Sequence, residues 1–136
     1  MSDEDAVLAA NLEFYRAFAT RDFSAMEALW ARRSPVACVH PGWTVLTDRA
    51  AVIGSWRNIL ANPASPRIVC FDERVFLYGT LALVLCEEEL EGGTLAASNL
   101  FVREDGKWRL AHHQAGQIVA RPRDARPRRP TLGRLN

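Results

Sequence analysis

The spacing of the apolar residues changes near Pro66, and this change constrains the fold more than any other feature of the chain. Before it, apolar residues recur every three or four positions, which is the spacing of one helical face. After it, the chain is rich in β-branched and aromatic residues arranged in short extended runs. Helices followed by a series of strands indicate an α+β fold, with three N-terminal helices packed on one face of a sheet.

Each of the three helical stripes follows a residue that can cap a helix N-terminus. Ser2 is the predicted cap of the first helix, Asp22 of the second, and Thr47 or Asp48 of the third. Residues 36–39, which lie between the second and third helices, are predicted to form a short strand. The helices therefore account for most of the chain up to residue 62.

Turn residues divide the second half of the chain into extended runs. Asp105-Gly106 is the strongest turn signal, because both central positions of a two-residue hairpin favour positive φ. Strands joined in this way lie antiparallel. Residues 81–86 are apolar on both faces, which indicates burial on both sides and predicts a homodimer through the sheet. The predicted strands are residues 67–71, 75–78, 81–90, 94–103 and 107–119.

The chain divides into a body and a basic tail. The 136 residues carry a net charge of +1, but six arginines and one aspartate give residues 121–136 a charge of +5, which leaves −4 for residues 1–120. We expect one domain over residues 1–120. The tail, residues 121–136, is predicted to be disordered, because arginine and proline with few apolar residues cannot form a packed core.

The composition gives no reason to expect a nucleic-acid or membrane partner. The body is acidic and lacks an aromatic platform for bases. No apolar run approaches the roughly 20 residues of a membrane-spanning helix. The acidic, polar N-terminal residues lack the features of a secretory signal, so the expected location is the cytoplasm.

The cysteines and histidines do not form a metal-binding pattern. Cys38, Cys70 and Cys86 are isolated in apolar surroundings and are predicted to be buried free thiols. The adjacent residues His112 and His113 would point to opposite faces of a strand. We therefore expect no bound metal and no cofactor.

Four stretches of the sequence carry a resemblance to a known family. They resemble bacterial SnoaL-like proteins of the nuclear transport factor 2-like superfamily over roughly residues 5–119. The stretches occur in the same order as in that superfamily, which makes the resemblance fairly specific to the fold. They are CVHPGW at residues 38–43, SW at 55–56, NLF at 99–101 and WRLAHHQAG at 108–116.

The resemblance implies a cystatin-like fold, in which helices cover a cone-shaped curved antiparallel sheet around a pocket. Members include ketosteroid isomerase, scytalone dehydratase, polyketide cyclases and the association domain of a calmodulin-dependent kinase, so the fold does not fix one function. Tyr15 lies on the first helix, as the oxyanion-donating tyrosine of ketosteroid isomerase would. Position 40 holds His where a general-base Asp would be expected.

Strand alternation selects the polar residues that should face the pocket. Trp108, Leu110, His112 and Gln114 would share one face of the last strand, with His113 on the other. His112 is then the predicted acid–base catalyst, because histidine exchanges protons near neutral pH.

The neighbouring strand supplies a second catalytic candidate. Asn99 shares a face with Ala97 and Phe101 and could donate a hydrogen bond to a developing oxyanion. Glu87, if it faces the interior, would be a carboxylate base with a raised pKa.

The predicted substrate-binding residues are polar groups and aromatic rings around this face. An alternative interpretation is that the histidines and tryptophans are structural, and Trp56 in particular lies on the apolar stripe of a helix. Trp43, after a Pro-Gly turn, is expected at the pocket rim. The full set is Tyr15, His40, Trp43, Trp56 and Gln114.

Two functions remain open on this basis. The first is a small-molecule enzyme, an acid–base lyase or isomerase of the dehydratase or cyclase type, acting on an apolar carbonyl or hydroxyl compound. The second is a non-catalytic ligand-binding or oligomerisation module similar to the kinase association domain.

Overall fold

The computed structural model describes residues 1–122 and contains three helices in its first half, as predicted. Helix α1 spans Asp3–Ala19, α2 spans Phe23–Leu29 and α3 spans Arg49–Ala61. The predicted caps are confirmed, since Ser2, Asp22 and Asp48 each accept a hydrogen bond from a backbone N–H of the first turn. Asp48, rather than Thr47, caps α3.

Five strands form one sheet in the order β1-β5-β4-β3-β2. The four long strands make antiparallel pairs joined by short turns, which confirms the α+β fold class. Asp105 and Gly106 both have positive φ, as the predicted hairpin requires. The strands are β1 (Ala37–Val39), β2 (Val69–Tyr78), β3 (Leu81–Leu90), β4 (Gly93–Glu104) and β5 (Lys107–Gln117).

The short strand β1 pairs in parallel with β5, an arrangement that the sequence did not indicate. A parallel pair needs a long crossover connection, and here α3 and the meander of long strands supply it. The pairing places Cys38 beside His113 in register. As a result, the His40 turn that follows β1 lies next to the inner face of the sheet.

A β-bulge in β5 changes which side chains face the core. Phe101 pairs with Leu110, and Leu100 pairs with His112, so Ala111 is an extra residue on β5. Leu110 and Ala111 are both buried, and the alternation resumes one residue out of phase.

The prediction that His112 and Gln114 face the interior is therefore wrong, as is the prediction that His113 faces outward. His113 is 3% exposed, whereas Gln114 is exposed and His112 is only partly buried. Strict alternation from Trp108 gave the opposite assignment because it allowed for no inserted residue.

The hydrophobic core lies between the helices and the inner face of the sheet. Buried side chains of α1 and α3, including Phe14 and Trp56, pack there against Val84 and Phe101. The cysteines are free and buried, as predicted. Burial raises the pKa of the Cys38 thiol to about 12, which makes it an apolar packing group.

The outer face of the sheet carries a row of apolar side chains in register. Phe76 pairs with Leu83, and Leu83 pairs with Leu100. Phe76 is 42% exposed, and the nearby Tyr78 and Leu81 are also exposed. The predicted homodimer through the sheet would cover this face and stays a prediction.

The predicted tail lies outside the described residues, apart from Arg121 and Pro122. Arg121 donates two hydrogen bonds to the Glu87 carboxylate, at 2.8 and 2.9 Å. Among the residues described, no helix is long and apolar enough to cross a membrane.

Candidate active site

A pocket of about 280 Å³ lies between the inner face of the sheet, helices α1 and α3, and the turn after β1. Its walls are mostly apolar. Five polar residues contribute to its lining: Tyr15, His40, Ser65, Glu88 and His113. A few polar groups in an apolar cavity are typical of a small-molecule site, and the volume is near the lower end of the usual range of roughly 300–1,000 Å³.

Glu88 is the carboxyl group of the pocket. It follows Ala82, Val84 and Cys86 on the inner face of β3 and is 2% exposed. Burial raises its pKa from about 4.5 to about 7, and the hydrogen bond from Tyr15 acts in the opposite direction. Glu88 can therefore both accept and return a proton near neutral pH.

Tyr15 connects helix α1 to this carboxyl group. Its Oη donates a hydrogen bond to Oε2 of Glu88 at 2.6 Å and lies 3.3 Å from the Cys86 thiol. Desolvation is the main reason that the pKa of Tyr15 is raised well above 10, with further contributions from Cys86 and Glu88. The phenol therefore stays protonated and serves as a donor.

His113 is the second polar group at the floor of the pocket. Burial lowers its pKa to about 3, with smaller contributions from His40 and His112, so the ring is neutral. Nδ1 donates to Oδ1 of Asn99 at 2.6 Å. Nε2 is then the nitrogen with the lone pair, and it lies 3.9 Å from Oε2 of Glu88.

Asn99 lies beneath the pocket and connects these residues. It is fully buried, which confirms its predicted inward orientation. Its Nδ2 donates to Oδ1 of Asn11 at 2.8 Å and to Oη of Tyr15 at 3.2 Å. Asn99 does not line the cavity. Its hydrogen bonds hold His113 and Tyr15, which do.

His40 forms the opposite side of the pocket. Its Nε2 lies 2.9 Å from Oγ of Ser55, whose hydroxyl donates to the carbonyl oxygen of Val52. The hydroxyl must then accept from Nε2, which leaves the lone pair on Nδ1. Burial lowers the pKa of His40 to about 4, so this ring is also neutral.

Two tryptophans frame the cavity. Trp43 is 51% exposed, and its ring meets the His40 ring edge to face, with 4.9 Å between their centroids. Trp56 is buried and packs edge to face against Phe14 and Phe18. Trp56 is thus both a core residue and a wall of the pocket.

The structure brings together most of the predicted substrate-binding residues. Tyr15, His40, Trp43 and Trp56 line one cavity, while Gln114 points away from it. His112, the predicted acid–base residue, lies on the outer face in register with Leu100. This orientation removes His112 from the pocket.

Glu88 and His113, two central residues of the pocket, are not among the site residues predicted from the sequence. The run of acids at residues 87–89 made Glu87 the candidate, but Glu87 lies on the outer face with Arg121. The odd-numbered residues Leu81, Leu83 and Leu85 are as apolar as the even-numbered ones, so no pattern in the sequence of β3 selects Glu88 over Glu87. Within residues 1–122, no three His, Cys, Asp or Glu side chains come together as a metal site.

A family model described as a SnoaL-like domain matches residues 7–120. The chain belongs to the SnoaL-like family. The matched range contains Tyr15, His40, Glu88, Asn99 and His113. The resemblance to SnoaL-like proteins seen in the sequence is confirmed.

Solved structures similar to this SnoaL-like protein include two with substantial sequence identity. A candidate dehydratase of the nuclear transport factor 2-like family from Streptomyces avermitilis is 34% identical, with 87% of this chain and 97% of that chain covered and a TM-score of 0.79. A candidate calcium/calmodulin-dependent protein kinase type II association domain from Thiobacillus denitrificans is 30% identical, with 81% and 93% covered and a TM-score of 0.72.

More distant relatives of the SnoaL-like protein support the fold alone. A protein with a cystatin-like fold from Caulobacter vibrioides has a TM-score of 0.76 at 12% identity, covering 85% of this chain and 89% of that chain. Among curated proteins, F-box protein SKIP8 of Arabidopsis thaliana is 25% identical over 116 residues, which is 84% of this chain. This chain spans 50% of the length of SKIP8.

Proposed function

We propose that the protein is a lyase or isomerase that moves a proton on an apolar carbonyl or hydroxyl compound, with Glu88 as the acid–base group. The observation that carries the proposal is a carboxyl group with a pKa of about 7, buried in an apolar pocket beside a neutral imidazole. An acid–base catalyst works best when its pKa is near the working pH. Similarity to the candidate dehydratase from Streptomyces avermitilis is consistent with this chemistry.

The arrangement suits a dehydration of a β-hydroxy carbonyl compound. The Glu88 carboxylate takes the proton next to the carbonyl group, the electrons form a carbon–carbon double bond, and the C–O bond breaks. The leaving hydroxyl group takes the proton back from Glu88 and departs as water. If no hydroxyl group is present, return of the proton to a different carbon gives an isomerisation by the same group.

The remaining polar groups have binding roles in this proposal. Nε2 of His113 accepts a hydrogen bond from the substrate hydroxyl group and directs it toward Glu88. Trp43 and Trp56 contact the apolar part of the substrate. The limited cavity volume restricts the substrate to a small molecule, such as one with a single ring.

A phenyl-substituted β-hydroxy ketone is a suitable probe, because its dehydration gives a conjugated ketone that absorbs in the near ultraviolet. We expect slow turnover by the native protein and a loss of about 100-fold or more in Glu88→Gln. Glu87→Gln is the matched control, since Glu87 is the adjacent residue on the opposite face of β3. Equal turnover by the native protein and Glu88→Gln would contradict the proposal.

The alternative function is a non-catalytic ligand-binding or oligomerisation module. Two observations favour it: the similarity to the candidate kinase association domain, and the partly exposed apolar row of Phe76, Leu83 and Leu100 on the outer face. This function predicts that the probe binds without turnover in every variant. Stable assembly into oligomers would then be the main property of the protein.

A further inference from the structure

A chain of hydrogen-bonded side chains runs beneath the inner face of the sheet, from Glu73 to His113. Nδ2 of Asn11 donates to Oε2 of Glu73 at 2.7 Å. Oδ1 of Asn11 accepts from Nδ2 of Asn99 at 2.8 Å, and Oδ1 of Asn99 accepts from Nδ1 of His113 at 2.6 Å. Asn11, Asn99 and His113 are buried, so water does not offer alternative partners to these three side chains.

A β-bulge in β2 places Glu73 at the start of this chain. Phe71 pairs with Glu87 and Arg74 pairs with Leu85, so two residues of β2 stand opposite the single residue Cys86. The extra residue is accommodated by a positive φ of 58° at Asp72. The irregular backbone allows the Glu73 side chain to meet Asn11 on helix α1.

The Glu73 carboxylate, where this series of hydrogen bonds starts, sets the donor and acceptor of every hydrogen bond in it. A carboxylate oxygen only accepts, so Asn11 must turn its nitrogen to Glu73 and its oxygen to Asn99. Asn99 must then turn its nitrogen to Asn11 and its oxygen to His113. An oxygen acceptor requires a proton on Nδ1 of His113.

Tyr15 fixes the orientation of Asn99 in the same sense. Its hydroxyl donates to Glu88, so it presents only a lone pair to Nδ2 of Asn99 at 3.2 Å. Reversal of the Asn99 amide by itself would therefore lose three hydrogen bonds of the buried network, those to Asn11, Tyr15 and His113. Removing bonds of this kind is costly because the groups cannot turn to water instead.

We propose that Glu73 and Asn11 are positioning residues that hold His113 in its Nδ1-protonated tautomer and so keep the Nε2 lone pair toward the pocket. Neither residue lines the pocket; both act through Asn99. Only the purpose of this tautomer rests on the proposed function: it presents an acceptor to a substrate hydroxyl group beside Glu88. The tautomer itself is a property of the ligand-free protein.

The test is the tautomer of His113 in variants of Glu73, read from the nitrogen chemical shifts of the ring in ¹⁵N-labelled protein at pH 8. The native protein should show only the Nδ1-protonated form. Glu73→Lys places a donor next to Asn11. If both amides reverse together, the Asn11–Asn99 and Asn99–His113 bonds are kept and the 3.2 Å bond between Asn99 and Tyr15 is lost, so the Nε2-protonated form should appear. Glu73→Gln can accept or donate, and a mixture of both forms is expected.

Two further variants separate this effect from a general disturbance. Glu91→Lys makes the same charge change at an exposed residue and should leave the tautomer unchanged. Asn99→Asp puts an acceptor-only group beside His113, so the Nδ1-protonated form should persist even when combined with Glu73→Lys. A tautomer that changes in that double variant would show that the effect of Glu73 does not pass through the amides.

The inference is overturned if folded Glu73→Lys and Glu73→Gln both keep His113 entirely in the Nδ1-protonated form. That result would leave the proposed function intact, because turnover by Glu88 is measured separately with the hydroxy ketone probe. Conversely, if the proposed function is wrong, turnover will be absent while the His113 tautomer still responds to the Glu73 variants.

Discussion

Oε2 of Glu88 lies 3.9 Å from Nε2 of His113, and both side chains are almost completely buried. The carboxyl group has a pKa of about 7, while the pKa of the imidazole is about 3. Near neutral pH the imidazole therefore remains an uncharged acceptor, and the carboxyl group alone changes its protonation. Glu88 is therefore the group that transfers a proton, and His113 is the group that accepts a hydrogen bond.

Glu88 should make the folded protein less stable as the pH rises. Its folded pKa of about 7 exceeds its usual value of about 4.5, so the native state retains a proton that the unfolded state releases between these values. The stability of the native protein relative to Glu88→Gln should thus fall from pH 4.5 to pH 7, by about 3 kcal/mol in all, and level off above it.

Urea unfolding of the native protein and of Glu88→Gln across this pH range measures the difference in their free energies of unfolding. His40 and His113 are present in both proteins, so their contributions cancel in this difference. Glu87→Gln serves as the control and should show no comparable trend. A stability difference that stays constant from pH 4.5 to pH 8 would contradict the assigned burial of Glu88.

Tyr15→Phe should raise the pKa of Glu88 further. The phenol donates to the carboxylate and stabilises its charged form, so removing it favours the protonated acid. We also expect a loss of about 1–3 kcal/mol in stability, because Glu88 and Asn99 each lose a buried partner. Titration of the ¹³C-labelled carboxyl group by NMR gives the pKa directly, and an unchanged or lower value would count against this role.

The two adjacent histidines should respond differently to the same substitution. His113→Asn removes the Nε2 acceptor from the pocket and should weaken binding of the hydroxy ketone probe by about tenfold. His112→Asn changes a residue on the outer face and should leave binding nearly unaffected. Quenching of tryptophan fluorescence reports both affinities, and equal losses in the two variants would be inconsistent with the β5 bulge.

A glutamate at Leu81 should disrupt the predicted homodimer. Leu81 is 40% exposed on the outer face, and a buried interface there would not tolerate an unpaired charge. Leu12→Glu is the matched control, since Leu12 is 37% exposed but lies on helix α1. Analytical ultracentrifugation should show a dimer for the native protein and Leu12→Glu, and a monomer for Leu81→Glu. A monomeric native protein would reject the interface.

Features set by a few neighbouring residues were accessible from the sequence. The caps at Ser2 and Asp22, the hairpin at Asp105-Gly106 and the three buried cysteines follow from local backbone chemistry and apolar spacing. The wrong orientation of His112 and Gln114 has a different origin. A single inserted residue, Ala111, reverses the facing of every side chain after it, and only the pairing with β4 reveals it.

The order of helices and strands, the α+β class and the family were thus determined by the sequence itself, because local propensities and periodic apolar residues encode them. The tertiary structure decided which acid and which histidine enter the pocket. Glu88 and His113 acquire their shifted pKa values from burial against α1, α3 and the parallel strand β1, and desolvation depends on how distant segments pack.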